Sequence, residues 1–272
     1  MTDRSSHRAG VLKYGDAVGE RIEDRLAGEE PLEIRVNGEP LTVVMRTPGH
    51  DKELALGLLF GEGVIRTRAD AEALSILPNG QHPDLENIID VKLGDTAPGV
   101  ERRWQRNFLS ASSCGLCGVS SIEAVHHAAP PLPEDDLVID PEVIYSLDAS
   151  LRAQQQIFAS TGGLHAAGLF TLEGDPVVVR EDIGRHNAVD KVVGYALDRG
   201  LLPLRRHILM VSGRTSFEIV QKALNAGIPV LVAVSAPSSL ARDLAQASNQ
   251  TLIGFLRGRS LNVYSGRRRL RA

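Results

Sequence analysis

The sequence predicts an α/β protein in two units: a three-layer α/β/α domain over residues 141–272 and a smaller α+β domain before it. Three observations carry that expectation. Continuous apolar runs such as "HILMVS" and "IPVLVAVS" alternate with amphipathic segments in the second half, the pattern of a sheet covered on both faces. In the first half "PLEIRVNGEPLTVVMRT" alternates Leu32, Ile34, Val36 and then Leu41, Val43, Met45 across Asn37-Gly38, a hairpin signature. Between them "AAPPLPEDDLVIDP" is rich in proline and acid, as suits a connector, because proline fixes φ and removes a backbone donor.

In chain order, residues 1–28 are polar and expected as a tail. The α+β domain spans 29–127: the hairpin, then a short helix in "DKELALGLLFGEGVI" ended by its glycines, then a strand in "ENIIDVKL". Residues 128–140 form the connector. The α/β domain then reads as a helix over 141–160, a strand "HAAGLFTL", a turn "EGDP", a strand "VVVRE" and a helix over 186–199. Strand "HILMVS", helix "SFEIVQKALNAG", strand "IPVLVAVS" and helix "SSLARDLAQASN" follow, and strands "LIGFLR" and "LNVYS" close the chain. That order predicts one antiparallel pair near the start of the domain.

Composition bounds the function. The chain has 272 residues, 43% hydrophobic and 24% charged, with 30 basic against 34 acidic side chains for a net charge of −4. This balance excludes a bulk nucleic-acid binder, although "ERRWQRNF" and "GRRRLRA" are locally cationic. "MTDRSSHRAG" is polar and leads into no apolar stretch, so a secretory signal is not expected; no run approaches the length of a membrane helix, and a soluble, cytoplasmic protein is expected, with neither membrane nor nucleic acid as partner. The two cysteines cannot staple a secreted scaffold of this length.

Both cysteines fall in "SASSCGLCGVSS", as Cys114 and Cys117. Structural zinc needs four ligands and a CxxC supplies two; the neighbouring His126 and His127 point in different directions on a helix. The helix order of the second half resembles the cytidine deaminase fold, whose zinc site uses HxE and PCxxC. Here His186 could fill the histidine position, but the glutamate position is Ala188, "SGRTSFEI" contains no cysteine, and "HAA" at 165–167 also lacks the glutamate. No structural metal is expected, and a zinc-binding diverged deaminase is the weakest reading. Thioredoxin-like exchange would require a CxxC opening a helix within a βαβ unit, and no complete unit surrounds this one. Sulfur transfer through a persulfide requires a low-pKa thiol on a flexible, polar mount, which Gly115, Gly118 and the flanking serines provide. A buried cysteine pair in a turn explains the same residues equally well.

Several loops have anion-binding character. "TGG" at 161–163, "REDIGRHNAVDK" at 180–191 and "SGRTS" at 212–216 lie where strands meet helices, and unpaired N–H groups at a helix N-terminus favour phosphate. Arg185, Arg214 and Lys191 could add charge. In open α/β sheets ligands gather at the carboxyl ends of strands, so these loops should converge. "GFLRGRSLNVYSG" adds Arg257 and Arg259 in a turn. Together they predict a nucleotide-like ligand.

"SCGLCG", "TGGLHAAGLF", "REDIGRHNAVDKVVG", "SGRTSFEIVQKA", "GFLRGRSLNVYSG" and "DKELALGLLFGEGVI" resemble the FdhD/NarQ family of formate dehydrogenase accessory proteins. The resemblance implies a sulfurtransferase, a sulfur carrier that accepts persulfide sulfur from a cysteine desulfurase. The sulfur goes to the bis-molybdopterin guanine dinucleotide cofactor, bound as substrate and required by formate dehydrogenase. It implies Cys114 as the persulfide cysteine and Cys117 as a second thiol. It implies cofactor binding by Phe255, Leu256, Arg257, Gly258, Arg259 and Ser260. Arg185, His186, Ser212, Gly213, Arg214 and Thr215 are expected to line the same pocket, and a ligand with two similar halves suits a homodimer. A non-catalytic chaperone that only binds and presents the molybdenum cofactor is the alternative of another class.

Overall fold

The computed structural model describes residues 4–15, 19–78, 86–99 and 131–271. Cys114, Cys117, His126 and His127 lie outside the described residues. Residues 6–13 and 20–27 form strands where a polar tail was expected. Strands β1 (Ser6–Lys13) and β2 (Glu20–Ala27) pair antiparallel from Ser6 opposite Ala27 to Lys13 opposite Glu20. Gly28 N closes the base of this ribbon by donating to Ser5 O at 2.7 Å. Both faces are largely solvated, so no alternation of apolar residues marks it in the sequence, and ion pairs such as Arg8–Glu23 take that place.

The first apolar core forms on a four-stranded sheet of order β4-β3-β6-β5, built from β3 (Glu30–Val36), β4 (Glu39–Arg46), β5 (Ala71–Leu77) and β6 (Ile88–Leu93). The Asn-Gly pair makes the hairpin as expected: Asn37 and Gly38 take φ of 52° and 84°, the left-handed pair that a two-residue turn needs. The Asn37 amide oxygen also accepts from Leu93 N at 2.8 Å, locking the turn to β6. Strand β5 has an irregular pattern, because only its first residue is buried, and periodicity alone does not reveal it. Helix α1 (Asp51–Gly61) covers this sheet with Leu54, Ala55, Leu56 and Leu59.

The second core lies on both faces of a six-stranded sheet of order β12-β11-β10-β9-β7-β8. Its strands are β7 (His165–Thr171), β8 (Pro176–Asp182), β9 (His207–Val211), β10 (Val230–Ala233), β11 (Thr251–Arg257) and β12 (Ser260–Ser265). Side chains alternate across a strand, and the two faces sort accordingly. Ala167, Leu169, Leu209, Val211, Leu231 and Leu252 pack under α4 (Arg185–Asp198), α5 (Phe217–Asn225) and α6 (Ser239–Ala247). Ala166, Phe170, Ile208, Met210, Val230 and Ile253 pack under α2 (Pro141–Arg152). The domain is therefore three-layer α/β/α. More of its sheet is antiparallel than expected. Strands β9, β10 and β11 are parallel, but β7 opposes both β8 and β9, and β12 opposes β11.

The helix expected over 141–160 is two helices, α2 and α3 (Gln156–Thr161). The restart has a cause: Ile157 N and Phe158 N donate to the Glu181 carboxylate of β8 at 2.9 and 2.7 Å, which caps a new first turn. Asp140 caps α2 by accepting from Glu142 N. Residues 131–138 carry no helix or strand, and the buried Arg269 guanidinium grips Asp135 there, with Nη2 at 2.6 Å.

Helices α1 and α4 cross at two glycines. A Cβ on Gly194 would lie 2.6 Å from the Glu53 carbonyl carbon, and one on Gly57 2.6 Å from that of Asp190. Each backbone occupies the room the other's missing side chain leaves, which welds the four-stranded unit to the α/β domain.

Candidate functional site

The site is the edge of the six-stranded sheet where β9 and β10 end, β7 begins and β8 ends. The N-termini of α4, α5 and α6 follow directly from the loops there. Asp182, fully buried at the end of β8, organises the α4 start. Its Oδ1 accepts from Gly184 N (2.8 Å) and Asn187 Nδ2 (2.9 Å). Its Oδ2 accepts from Thr47 N (3.2 Å) and pairs with Lys191 Nζ at 2.7 Å. Lys191 also donates to the carbonyls of Thr47 (3.0 Å) and Glu181 (3.2 Å). The sequence placed Lys191 among charges for an anion; the structure corrects this, because its three donors are all engaged in the interior. Thr47 and Met45 come from just after β4 and its last residues, and Asn187 Nδ2 donates to Met45 O at 2.8 Å. The first unit thus reaches into the site of the second.

The groups expected in the pocket fall close together on this frame. Ser212 is tied to β7 by two bonds: its N donates to Ala166 O and its Oγ accepts from Ala166 N, both at 2.9 Å. Gly213 follows with the His165 ring and the Arg185 Cβ against it, at 3.3 and 3.8 Å from where a Cβ would sit. Arg214 is exposed. Thr215 is buried and bonded through its backbone to the next loop, N to Ala236 O (3.1 Å) and O from Ser238 N (3.0 Å). Ser238 Oγ then caps α6 by accepting from Ala241 N. His186 Nε2 lies 2.8 Å from Glu218 Oε2 and 3.1 Å from Ser216 Oγ, so α4 and α5 share a polar rung at their first turns.

Two buried polar atoms here, Arg185 Nε and Thr215 Oγ1, have no hydrogen-bond partner among the described residues. Buried polar atoms are ordinarily satisfied, and a guanidinium nitrogen and a hydroxyl are what an oxygen-rich anion would engage. His165 reports the same field. Burial lowers its pKa below the usual 6.5, Arg185 lowers it further, Asp182 opposes, and His186 and Arg214 add to the lowering. Burial and the neighbouring guanidinium groups thus favour the neutral imidazole. A cavity of about 370 Å³ opens next to it, lined by Asp148, Arg152, Phe158, Gly163, His165 and Ser212 among others.

The segment 255–260 joins the edge from the side. Phe255 takes φ of 54°, and its N donates to Ser235 O at 3.2 Å. Gly254 is needed there: a Cβ would sit 3.0 Å from that same oxygen. The register slips between Gly254 and Arg257, which bends the strand as bulges do. Leu256 is buried in the core under α2, so its side chain is unavailable to a ligand and only its backbone could contribute. Arg257, Gly258 and Ser260 are exposed in the β11–β12 turn. Arg259 turns to α2, pairing with Glu142 and lying 5.2 Å from the Tyr145 ring centroid.

The sequence alone missed four contributors: His165, weighed only as a strand histidine that lacks the deaminase glutamate, and Thr47, Asp182 and Glu218. Asp182, directly before "IGRHN", had the signal of a carboxylate ahead of a helix start. Thr47 had none, being 135 residues from its partner. Among the described residues no group of three or more His, Cys, Asp or Glu could hold a metal ion. No helix among them is long and apolar enough to cross a membrane.

Comparison with known proteins matches residues 27–271 to the model of the FdhD/NarQ family. The sulfur carrier protein FdhD of Streptomyces avermitilis is 50% identical to this chain, over 98% of it and 96% of its own length. That of Mycobacterium tuberculosis is 50% identical over 96% of each, and that of Sulfolobus acidocaldarius 44% over 94% of each. A crystal structure of a proposed formate dehydrogenase accessory protein from Desulfotalea psychrophila shares the fold with a TM-score of 0.77. It is 24% identical and covers 98% of this chain and 99% of that one.

Proposed function

The chain belongs to the FdhD/NarQ family, and from that premise we propose that it is a sulfur carrier serving formate dehydrogenase. It takes sulfur from a cysteine desulfurase and passes it to a molybdenum cofactor bearing guanine dinucleotides, bound as substrate at the sheet edge. The observation that carries the cofactor reading is the convergence at that edge. Three helix N-termini, Arg214, and the buried Arg185 Nε and Thr215 Oγ1, which have no hydrogen-bond partner among the described residues, lie at the same strand ends, and such an array suits pyrophosphate.

The sulfur chemistry rests on the CxxC. The Cys114 thiolate attacks the terminal sulfur of the desulfurase persulfide; the new S–S bond forms as the desulfurase thiolate leaves. The carried sulfur is at the sulfane level, so delivery as sulfide needs two electrons. Attack by the Cys117 thiolate on Cys114 Sγ supplies them: the outer sulfur departs with the bonding pair, and a Cys114–Cys117 disulfide remains. A cellular dithiol then reopens that disulfide for the next cycle. The serines and glycines that flank the pair in the sequence are residue types compatible with a polar setting for a thiolate.

The test is intact mass, taken without reductant, after incubation with an active desulfurase and cysteine, followed by peptide mapping of the wild type and Cys114→Ala. Added sulfur on the Cys114 peptide, lost in the variant, is expected. No added sulfur on either cysteine would overturn the carrier reading and leave a protein that only binds and presents the cofactor.

A further inference from the structure

The cavity beside the sheet edge has a composition that the phosphate-binding reading does not use. Among the described residues that line it Asp148 is the only carboxylate, and Phe158 provides an aromatic wall. Arg152 Nε holds the Asp148 carboxylate, at 3.1 Å from each oxygen. That clasp fixes the carboxylate's orientation and leaves further lone pairs on both oxygens. At about 370 Å³ the cavity is at the small end of ligand pockets, suited to one heterocycle with its sugar and too small for a dinucleotide. It shares His165 and Ser212 with the edge where Arg185 and Arg214 converge, so a ring seated here would have its phosphates at the cationic rim.

A carboxylate offers only acceptors, and it pairs best with two coplanar N–H donors side by side. Adenine and cytosine present a donor next to a ring-nitrogen lone pair, which a carboxylate repels. A 2-amino-4-oxopyrimidine edge presents a ring N–H next to an exocyclic amine, and that is the complementary fork. We propose that Asp148 reads such an edge, with Phe158 against the face of the ring. The edge is common to guanine and to pterins, and the inference rests on the cofactor reading above, which contains both.

The test is calorimetric titration of the full chain with GDP, IDP, XDP, ADP and a pterin phosphate. Wild type is expected to bind GDP or the pterin about tenfold or more above IDP, which lacks the 2-amino group, since a hydrogen bond to a charged group carries that much discrimination. Asp148→Asn should lose that preference and gain XDP, whose 2-oxo group accepts from the new amide. The variant removes only a partly exposed i,i+4 ion pair, and an unchanged Tm would confirm its fold. GDP binding with Asp148 dependence assigns the cavity to guanine; pterin binding with the same dependence and no such effect on GDP assigns it to the pterin. Equal GDP, pterin and XDP affinities before and after substitution, with GDP bound tightly, would overturn this assignment and leave the cofactor site standing. Failure of wild type to bind either GDP or pterin would overturn both.

Discussion

Gly194→Ala tests the helix crossing on which the assembly of the two units depends. Intrinsic propensity predicts that alanine at a mid-helix glycine stabilises by about 0.5–1 kcal/mol. The structure predicts the opposite sign. An added Cβ would stand 2.6 Å from the Glu53 carbonyl carbon, closer still to its oxygen, and 2.9 Å from Gly57 N. These are main-chain atoms of another helix, so no side chain can swing away. Restoring ordinary contact at 3.4–4 Å requires α1 and α4 to part by about 1 Å or more, a displacement on the scale that forfeits much of the dispersion contact along an interface. Overpacking of this kind costs about 1–3 kcal/mol, and the upper end is expected because the obstruction is reciprocal at Gly57. For a chain of this size about 3 kcal/mol lowers Tm by about 5 °C. The shift should also loosen Arg180–Glu53, whose bonds of 2.5 and 2.8 Å bridge β8 to α1. Thermal and guanidinium unfolding of Gly194→Ala would be compared with Gly10→Ala, where nothing lies within 4 Å of a Cβ and no loss is expected. A Tm at or above wild type for Gly194→Ala would refute the tight crossing.

Lys191→Met leaves Asp182 charged and unpaired in the interior and should cost about 3–5 kcal/mol; Asp182→Asn combined with it should recover a large part, read from guanidinium midpoints. Acid stability should follow the histidines: burial lowers the pKa of His165, His50 and His207 below 6.5 in the folded protein. Between 6.5 and those lowered values the unfolded chain binds more protons, so stability falls as pH falls through that window. Urea unfolding at pH 7.5 and 5.5 would show it, and His165→Gln should flatten the slope. Arg214→Ala, at an exposed residue, should leave Tm unchanged while weakening GDP binding about tenfold, the loss of one charged hydrogen bond; an unchanged affinity would remove Arg214 from the site.

The sequence by itself determined the local elements and the loops at the strand-to-helix junctions. Continuous apolar strands, amphipathic helices and the Asn37-Gly38 turn are encoded by neighbours in the chain, so periodicity and φ preference reveal them. The same locality made Arg185, His186 and the 212–215 loop legible, since each sits at a strand-to-helix junction. What failed was what depends on distant residues. The β1–β2 ribbon is solvated on both faces and leaves no pattern. The break after Arg152 is made by Glu181, and Lys191 is held in the interior by Asp182 and Thr47. Leu256 looks available in its motif, but the bulge at Gly254–Phe255 turns it into the core. Only the tertiary structure decided which charges remain free, because a buried charge goes to whatever partner the packing brings to it. It also decided that Asp148, an unremarked residue of α2, stands in a cavity beside the sheet edge, because which helix face meets which strand end is fixed by the cores on both sides of the sheet.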